Sequence, residues 1–351
     1  MPRPTVSVVI PTFNRKEMLK EMIGLLEEQT IPSDEFEVVV VDDGGSDDTP
    51  TYLGAVQTSF RLRVISQQNS GAAVARNTGA REATGQMIVF MDDDLVPLPG
   101  MIESHRNALA DDEKSVVLGK LMPWKTGSRG AWNKWEDRIY SKHYAAVEAN
   151  RRPPSGRRLY SGNFSIWREQ FLAAGGFNAD LLRGEDVELG FRLESMGAVF
   201  KFSAGASAYH RGYRSYASWR NSSYLYGVTD VQLALARRHK QALDEITTWY
   251  RGKSLPIRIL IKTGLNGGRI VRNSMEVGLR WLGTVTDKLR MSRLSHLSFT
   301  LIYGLNYWQG AADEIGGRQA LMKCVYGSSE YRAALIARMT NGQGPVEGRS
   351  H

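Results

Sequence analysis

VSVVIPTFNRKEMLKEMIGLLEEQ, residues Val6–Gln29, holds two hydrophobic rhythms back to back. Val6–Ile10 is a β-branched run of strand length, closed by Pro11. After the turn Pro11, Thr12, Phe13, Asn14, apolar residues return at Met18, Leu19, Met22, Ile23, Leu25 and Leu26, which is the stripe of an amphipathic helix. Asn14 is placed to cap that helix. The same alternation continues outward. FEVVVVDDGG reads as a strand, DDTPTYLGAVQTSF as a helix with Asp48 or Thr49 near its cap, and RLRVIS as a strand. GAAVARNTGAREAT reads as a helix, QMIVFMDDD as a strand, PGMIESHRNALAD as a helix and SVVLGK as a strand. Strands that are near-continuous apolar runs, alternating with helices, predict an α/β fold with a mostly parallel central sheet covered on both faces.

Open sheets of this kind place ligands at the carboxyl ends of their strands. Three strands here end in polar clusters, PTFN, DDGGSDD and MDDD. Several chemistries are excluded at those turns. The first turn lacks glycine, so no G-x-G-x-x-G fingerprint of a dinucleotide site is present, and the chain has neither a phosphate-cradling G-x-x-x-x-G-K-[ST] nor a G-x-S-x-G nucleophile elbow. Three consecutive acids, Asp92, Asp93 and Asp94, repel one another and suit a hard divalent cation, magnesium or manganese, with positions left open for phosphate. If the segment stays extended, Asp92 and Asp94 fall on one side. The competing reading is an acidic turn capping the helix after Pro99. Asp42 and Asp43 sit at another strand end, where a carboxylate can accept from a base or a sugar hydroxyl and the glycines let a backbone approach closely.

From about Tyr160 the texture changes. RLYSGNFSIWREQFLAAGGFN reads as a strand, a short helix and a glycine turn. GEDVELGFRLESMG reads as a helix with Val187, Leu189, Phe191, Leu193 and Met196 spaced for burial. AVFKFS is a strand, and a mainly helical third follows. Trp132 and Trp135 are at helical spacing, which favours a core role over stacking on a ligand. Residues 341–351 read as a disordered tail.

The chain has 351 residues, a formal charge of +8 and one cysteine, Cys324, which excludes an internal disulfide framework and fits a reducing compartment. The N-terminus lacks the layout of a signal peptide. Leu294–Gly310 is the most apolar long stretch, but His, Ser and Asn interrupt it, so it reads as a buried or interfacial helix. Residues 211–293 carry 16 Lys or Arg against 5 Asp or Glu, a net of +11, leaving −3 for the rest. This basic region fits two arrangements: an interfacial helix on an anionic membrane, or a helical subdomain with its arginines in solvent.

VSVVIPTFNR, VVVVDDGGSDDT, NSGAAVARNTGAREATGQMIVFMDDDLVP and GGFNADLLRGEDVELGFRL occur in the order and spacing of family-2 glycosyltransferases. The chain resembles that family from about residue 4 to about 213; no resemblance is named for the C-terminal third. The resemblance implies a GT-A catalytic domain over 1–213, with a nucleotide-binding part to about 120 and an acceptor-side part over about 121–213, then a helical region over 214–340. It implies an inverting transfer from a nucleotide-sugar, most often a UDP-sugar, to a carbohydrate, lipid-linked or small-molecule hydroxyl, with a divalent cation (Mn or Mg) and no nucleic acid. Phe13 stands where the family's aromatic lies against the base, beside Pro11, Thr12 and Asn14. Asp43 corresponds to the acid that reads the base, Arg76 to a basic residue near the nucleotide, and Asp92, Asp93 and Asp94 to the D-x-D motif, with Asp94 the direct metal ligand. His210 matches a further metal ligand in some relatives, and Arg211 and Arg214 follow it as diphosphate contacts. Ser161, Gly162 and Asn163 match donor-sugar or acceptor contacts. Asp186 matches the general base, with Glu185 as its helper. The rival expectations are a nucleotidyltransferase on the same scaffold, which would use the metal but not Asp186, and a non-catalytic nucleotide-sugar binding subunit. The expected location is cytoplasmic, with peripheral contact at the membrane face if the basic region docks there.

Overall fold

The computed structural model describes residues 5–124, 129–181, 183–236 and 240–340; the tail expected at 341–351 lies outside the described residues. The chain divides into two compact units. Among described residues the first takes 5–124, 137–181 and 185–212, and the second takes 129–136, 183–184 and 213–340.

The first unit begins with β1 (Val6–Thr12), α1 (Lys16–Glu27), β2 (Phe36–Asp42), α2 (Thr49–Ala55), β3 (Arg61–Ser66), α3 (Ala72–Glu82) and β4 (Met87–Met91). β5 (Leu95–Pro97), α4 (Met101–Ala110) and β6 (Ser115–Pro123) follow, then α5 (Ala131–Glu148), whose first residues count with the second unit. β7 (Asn163–Trp167), α6 (Arg168–Ala173), α7 (Glu185–Ser195) and β8 (Val199–His210) complete it. One eight-stranded sheet runs β3-β2-β1-β4-β7-β6-β8-β5. The β1–β2, β2–β3, β1–β4 and β6–β8 pairs are parallel, while β7 and β5 run against their neighbours. The mostly parallel α/β expectation holds, and the antiparallel β7 brings its N-terminal residue Asn163 level with Met91 at the end of β4.

Period-two alternation explains the burial. Val6, Val8 and Ile10 face one layer with Leu19, Met22, Ile23 and Leu26 of α1 and Met101, Ile102 and Leu109 of α4. Val9, Val39, Val41, Ile88 and Phe90 face the other, with Ala75 and Ala80 of α3, Phe171 of α6 and Leu189 and Leu193 of α7. Both faces are covered, so β1 and β2 are buried along their whole length, as a continuous apolar run requires.

Three local readings change. Asn14 does not cap α1: it takes a positive φ of 54° and its Oδ1 accepts from Ser46 N at 2.6 Å and Asp47 N at 3.2 Å. Asp47 supplies the capping instead, accepting from Lys16 N at 3.1 Å and Thr49 N at 3.2 Å, the first residues of α1 and α2. α2 ends at Ala55 because Val56 is extended and leads toward the edge strand β3. Met196 is 50% exposed: α7 ends at Ser195 and Gly197 turns the chain with φ 83° before a further apolar turn can form. Val187 and Phe191 are half-buried, while Leu189 and Leu193 carry the packing.

The second unit is helical: α8 (Tyr216–Ala236), α9 (Lys240–Arg251), α10 (Leu255–Asn266), α11 (Gly268–Lys288), α12 (Ser292–Glu314), α13 (Arg318–Tyr326) and α14 (Ser329–Thr340). Trp308, Tyr250, Ile261, Leu321 and Cys324 form its main core. α8 and α12 touch backbone to backbone, since a Cβ on Gly227 would collide with the Tyr307 carbonyl and one on Gly310 with the Tyr224 carbonyl. The most apolar stretch is therefore a core helix, with Phe299, Ile302 and Trp308 fully buried. Among the described residues no helix is long and apolar enough to cross a membrane.

Candidate active site

The three aspartates after β4 do not stay extended. Leu95 N donates to Asp92 O at 3.3 Å and closes a turn, so the carboxylates fan toward three different partners. Asp92 accepts from Arg76 Nη2 at 2.5 Å. Asp93 accepts from Thr12 Oγ1 at 2.8 Å and Arg15 Nη1 at 2.7 Å. Asp94 accepts from the same Arg15 nitrogen at 3.1 Å, and its other oxygen faces His210 Nε2 at 3.6 Å. Burial opposes ionisation of Asp92, but the charge and hydrogen bond of Arg76 overcome it and hold that carboxyl below its ordinary value. Asp93 has the opposite balance: burial pushes it up to about 6 against Arg15 and Thr12.

Arg15 was not among the residues read from the sequence. Its position one residue past the first polar strand end was the available signal. Its single positive charge is shared by two of the three acids.

Asp94 Oδ1 is buried and has no hydrogen-bond partner. The backbone beside it is Gly212, where a Cβ would collide with Asp94 Oδ2 and lie 2.7 Å from His210 Nε2. An orphaned carboxylate oxygen, an imidazole nitrogen and a glycine that keeps the approach open make a two-ligand corner. Among the described residues no group of three His, Cys, Asp or Glu gathers at one point. Of the expected trio of Asp92, Asp94 and His210, Asp94 and His210 face each other at 3.6 Å, while Asp92 gives one oxygen to Arg76.

Arg76 connects this corner to the acids of α7. It is 4% exposed, reaches Glu185 Oε1 at 3.7 Å through Nη1, and lies over the Phe177 ring at 5.6 Å. Its Nε and Nη1 have no hydrogen-bond partner. Glu185 and Asp186 open α7, where the helix dipole favours acids. Asp186 Oδ1 accepts from Val187 N at 2.8 Å, and its Oδ2 is 3.4 Å from Ser161 N. Asp186 keeps a little exposed surface but lies deep enough that burial, with the neighbouring Glu185 charge, pushes it up to about 7 against those two amides and Arg76.

Gly162 joins the two halves from the other side. Its carbonyl accepts from Asp92 N at 3.2 Å, and a Cβ there would come within 2.5 Å of Asp92 Oδ2. Ser161 is buried beside it. Asn163 is turned into the sheet: its Nδ2 donates to Ala206 O at 3.0 Å and Lys120 O at 3.3 Å, and its Oδ1 lies 2.8 Å from His105 Nε2. Both hydrogens of that amide are used within the sheet. His105 is fully buried, with Nδ1 at 2.9 Å from Ser165 Oγ, and burial lowers it to about 4.

At the other strand ends, Asp43 spends much of its carboxylate on the loop before α3. It accepts from Gln67 Nε2 at 2.7 Å, Ser70 N at 2.9 Å and Gly71 N at 2.8 Å. A carboxylate has about four acceptor positions, so one remains. Asp42 is buried and receives Gly45 N at 3.3 Å. Pro11 is buried inside β1, opposite Val41, whereas Phe13 is 44% exposed at the strand end and free to meet a flat ligand.

Two expected diphosphate contacts are engaged elsewhere. Arg211 pairs with Glu21 and lies over the Trp124 ring at 4.6 Å. Arg214, in the second unit, is 3.6 Å from Glu136 and 3.4 Å from Ser222 Oγ. The tryptophans are core and scaffold: Trp135 is 8% exposed against Trp219 and donates to Thr300 Oγ1 at 2.8 Å, and Trp132 Nε1 donates to Arg214 O at 2.8 Å.

Residues 7–172 match the model of Glycosyl transferase family 2. The chain is 30% identical over 236 residues to validoxylamine A glucosyltransferase of Streptomyces hygroscopicus subsp. limoneus, covering 59% of this chain and 52% of that protein. It thus spans about half the length of that relative. It is 25% identical over 350 residues to the pre-mycofactocin glycosyltransferase of Mycobacterium tuberculosis H37Rv, 96% of this chain and 70% of that one. In structure it is similar to a mannosyltransferase from Pyrobaculum calidifontis solved with GDP-Man and Mn2+, with a TM-score of 0.54 at 20% identity over 98% of this chain and 88% of that chain. It is also similar to S. aureus TarS, at 0.53 and 16% identity over 95% and 55%. These likenesses establish the GT-A fold.

Proposed function

We propose that the chain is a glycosyl transferase of family 2, whose model residues 7–172 match, and that it moves a sugar, with inversion, from a nucleotide diphosphate donor to an acceptor hydroxyl, with Asp186 as general base. One observation carries this reading. Arg76 touches Asp92 of the triple-aspartate turn and reaches Glu185 beside Asp186, so a single buried guanidinium fixes the diphosphate side against the base side. Transfer needs both: charge compensation where the diphosphate leaves, and a carboxylate where the acceptor loses its proton.

In this reading the base stacks on Phe13 and meets the remaining acceptor position of Asp43, with Pro11, Thr12 and Asn14 shaping the turn. The ordinary pairing is UDP, and the Pyrobaculum neighbour's GDP-Man makes guanine the rival. The acceptor is a carbohydrate, lipid-linked or small-molecule hydroxyl. Asp186, deprotonated, takes the hydroxyl proton as that oxygen bonds to the anomeric carbon and the bond to the diphosphate oxygen breaks; the proton ends on Asp186. Glu185 keeps Asp186 basic through its charge, and Ser161 N and Val187 N orient the two oxygens. Arg15 bridges Asp93 and Asp94, and Arg76 holds Asp92. The domain boundary near residue 213 belongs to the same reading.

A divalent cation fits the corner made by Asp94 Oδ1 and His210 Nε2, where the orphaned oxygen and the open Gly212 leave room for it. Its remaining ligands would come from the donor and water, and the imidazole favours manganese over magnesium. When bound it supplies positive charge for the departing diphosphate. Titration calorimetry with UDP, GDP and dTDP, with and without manganese, tests the donor side, and transfer or donor hydrolysis by Asp186→Asn tests the base. The reading expects one diphosphate to bind only with manganese and an intact Asp94, and Asp186→Asn to bind donor normally while losing turnover at least 100-fold, roughly the contribution of a general base. Turnover unchanged in Asp186→Asn would turn the assignment to nucleotidyl transfer.

A further inference from the structure

The basic C-terminal region has a feature that no step above uses. On α11, Ile270, Val277 and Trp281 are 81%, 68% and 67% exposed. At 100° per residue they fall within about 40° of one another, with Lys288 on the same line. The opposite side of the helix holds its buried residues, Glu276, Gly283 and Thr286. An apolar stripe on the outward face is the reverse of what packing within one chain requires. It continues past the helix end through Leu289 and Met291, and into the first turn of α12 at Leu294, all exposed.

The charge around the stripe identifies its partner. Residues 251–297 contain ten Lys or Arg and two acids. Neither acid faces outward unpaired. Glu276 is buried and accepts from Arg220 Nε and Tyr216 Oη, each at 2.8 Å, and Asp287 pairs with Lys134 at 2.7 Å. Arg269 in the first turn of α11, Lys288 on the line of the stripe and Arg293 in the first turn of α12 are exposed. A large outward tryptophan, aliphatic side chains and unopposed cations match a surface that is apolar below and anionic above. A second copy of this chain would bring like charges face to face.

We propose that α11 and the start of α12 form a docking surface for an anionic lipid bilayer, with Ile270, Val277 and Trp281 entering the headgroup boundary and Arg269, Lys288 and Arg293 meeting lipid phosphates. The proposal does not depend on the transferase reading.

The test is cosedimentation of the full chain with phosphatidylcholine vesicles, with and without phosphatidylglycerol. The protein binds the phosphatidylglycerol vesicles at low salt, releases them near 1 M salt where the screening length falls to roughly 3 Å, and ignores pure phosphatidylcholine. Arg269→Gln, Lys288→Gln and Arg293→Gln together weaken binding roughly 100-fold. Trp281→Ser, and separately Val277→Ser, weaken it while the melting temperature stays that of wild type, since each side chain is already in solvent. No binding to anionic vesicles at low salt overturns the proposal. So does binding that survives both the triple variant and Trp281→Ser. A concentration-dependent dimer that Trp281→Ser abolishes, without vesicle binding, assigns the stripe to self-association and overturns it as well.

Discussion

Replacing Arg76 by methionine keeps most of the volume and removes the charge. Arg76 is 4% exposed, and its partner Asp92 is about one-third exposed, at 32% of its side chain. At an effective dielectric of about 20, a charge pair near 4 Å is worth roughly 4 kcal/mol, and the solvent that reaches Asp92 reduces that. Glu185 at 3.7 Å adds a second, weaker attraction. Against this, methionine relieves the desolvation of a buried guanidinium whose Nε and Nη1 have no hydrogen bond. The net expectation is a loss of about 3 kcal/mol, because three carboxyls, Asp92, Glu185 and Asp186, lose their shared cation. For a unit of this size that lowers the melting temperature by roughly 6–12 °C. Thermal unfolding followed by circular dichroism at pH 7.5 measures it, in wild type, Arg76→Met, Asp92→Asn and the double variant. The double-mutant cycle should show a coupling of about 1–3 kcal/mol, with Arg76→Met costing less once Asp92 is neutral. Arg76→Met melting within about 1 °C of wild type, or strictly additive losses, would refute the reasoning that this guanidinium is the electrostatic joint of the site.

Other outcomes follow from the same geometry. Asp186 works as a base only when deprotonated, and its carboxyl is pushed up to about 7, so the transfer rate should rise with pH through about 7; a flat profile between pH 5 and 8 counts against Asp186. His105 is neutral in the fold, at about 4, but titrates near its ordinary value of 6.5 when unfolded. The unfolded state therefore takes up the proton first, stability is full above about pH 6.5, and it declines toward pH 4, by about 2 kcal/mol at pH 5. Denaturant titrations of wild type and His105→Gln at pH 7 and 5 should show that share of the acid loss missing in the variant. Gly212→Ala puts a methyl against Asp94 Oδ2 and His210 Nε2, so manganese affinity, read by calorimetry, should fall at least tenfold while the melting temperature moves little. Equal affinity would remove the Asp94–His210 corner as the cation site.

Much of this molecule is readable along the chain because the relevant physics is local. A β-branched run followed by a 3.6-residue stripe specifies strand then helix, and repetition of that unit specifies a sheet covered on both sides, as Val6–Glu27 and Phe36–Ala55 show. The acids at strand ends announce a site, since unpaired carboxylates have no cheap place in a core. What sequence reasoning missed depends on partners distant along the chain. Nothing near Asp92 reveals that Arg76, 16 residues away, would claim it, or that Arg15 would hold Asp93 and Asp94. The same holds for Asn163, whose motif reads as a sugar contact until the sheet presents it to His105, and for Arg211, which Glu21 takes from 190 residues away.

Asn14 and Asp47 show the boundary between the two kinds of information. Sequence alone determined that both stretches end strands and begin helices. Only the tertiary structure decided that Asn14 would serve the loop before α2 and that Asp47 would cap two helices at once, because a capping side chain answers to whichever amide lies within about 3 Å, not to its place in the chain. The stripe on α11 is the converse case. Its period was written in the sequence, but whether that face turned inward or outward was decided by where Glu276, Gly283 and Thr286 found their packing. Period sets which residues share a face; the fold sets which face meets water.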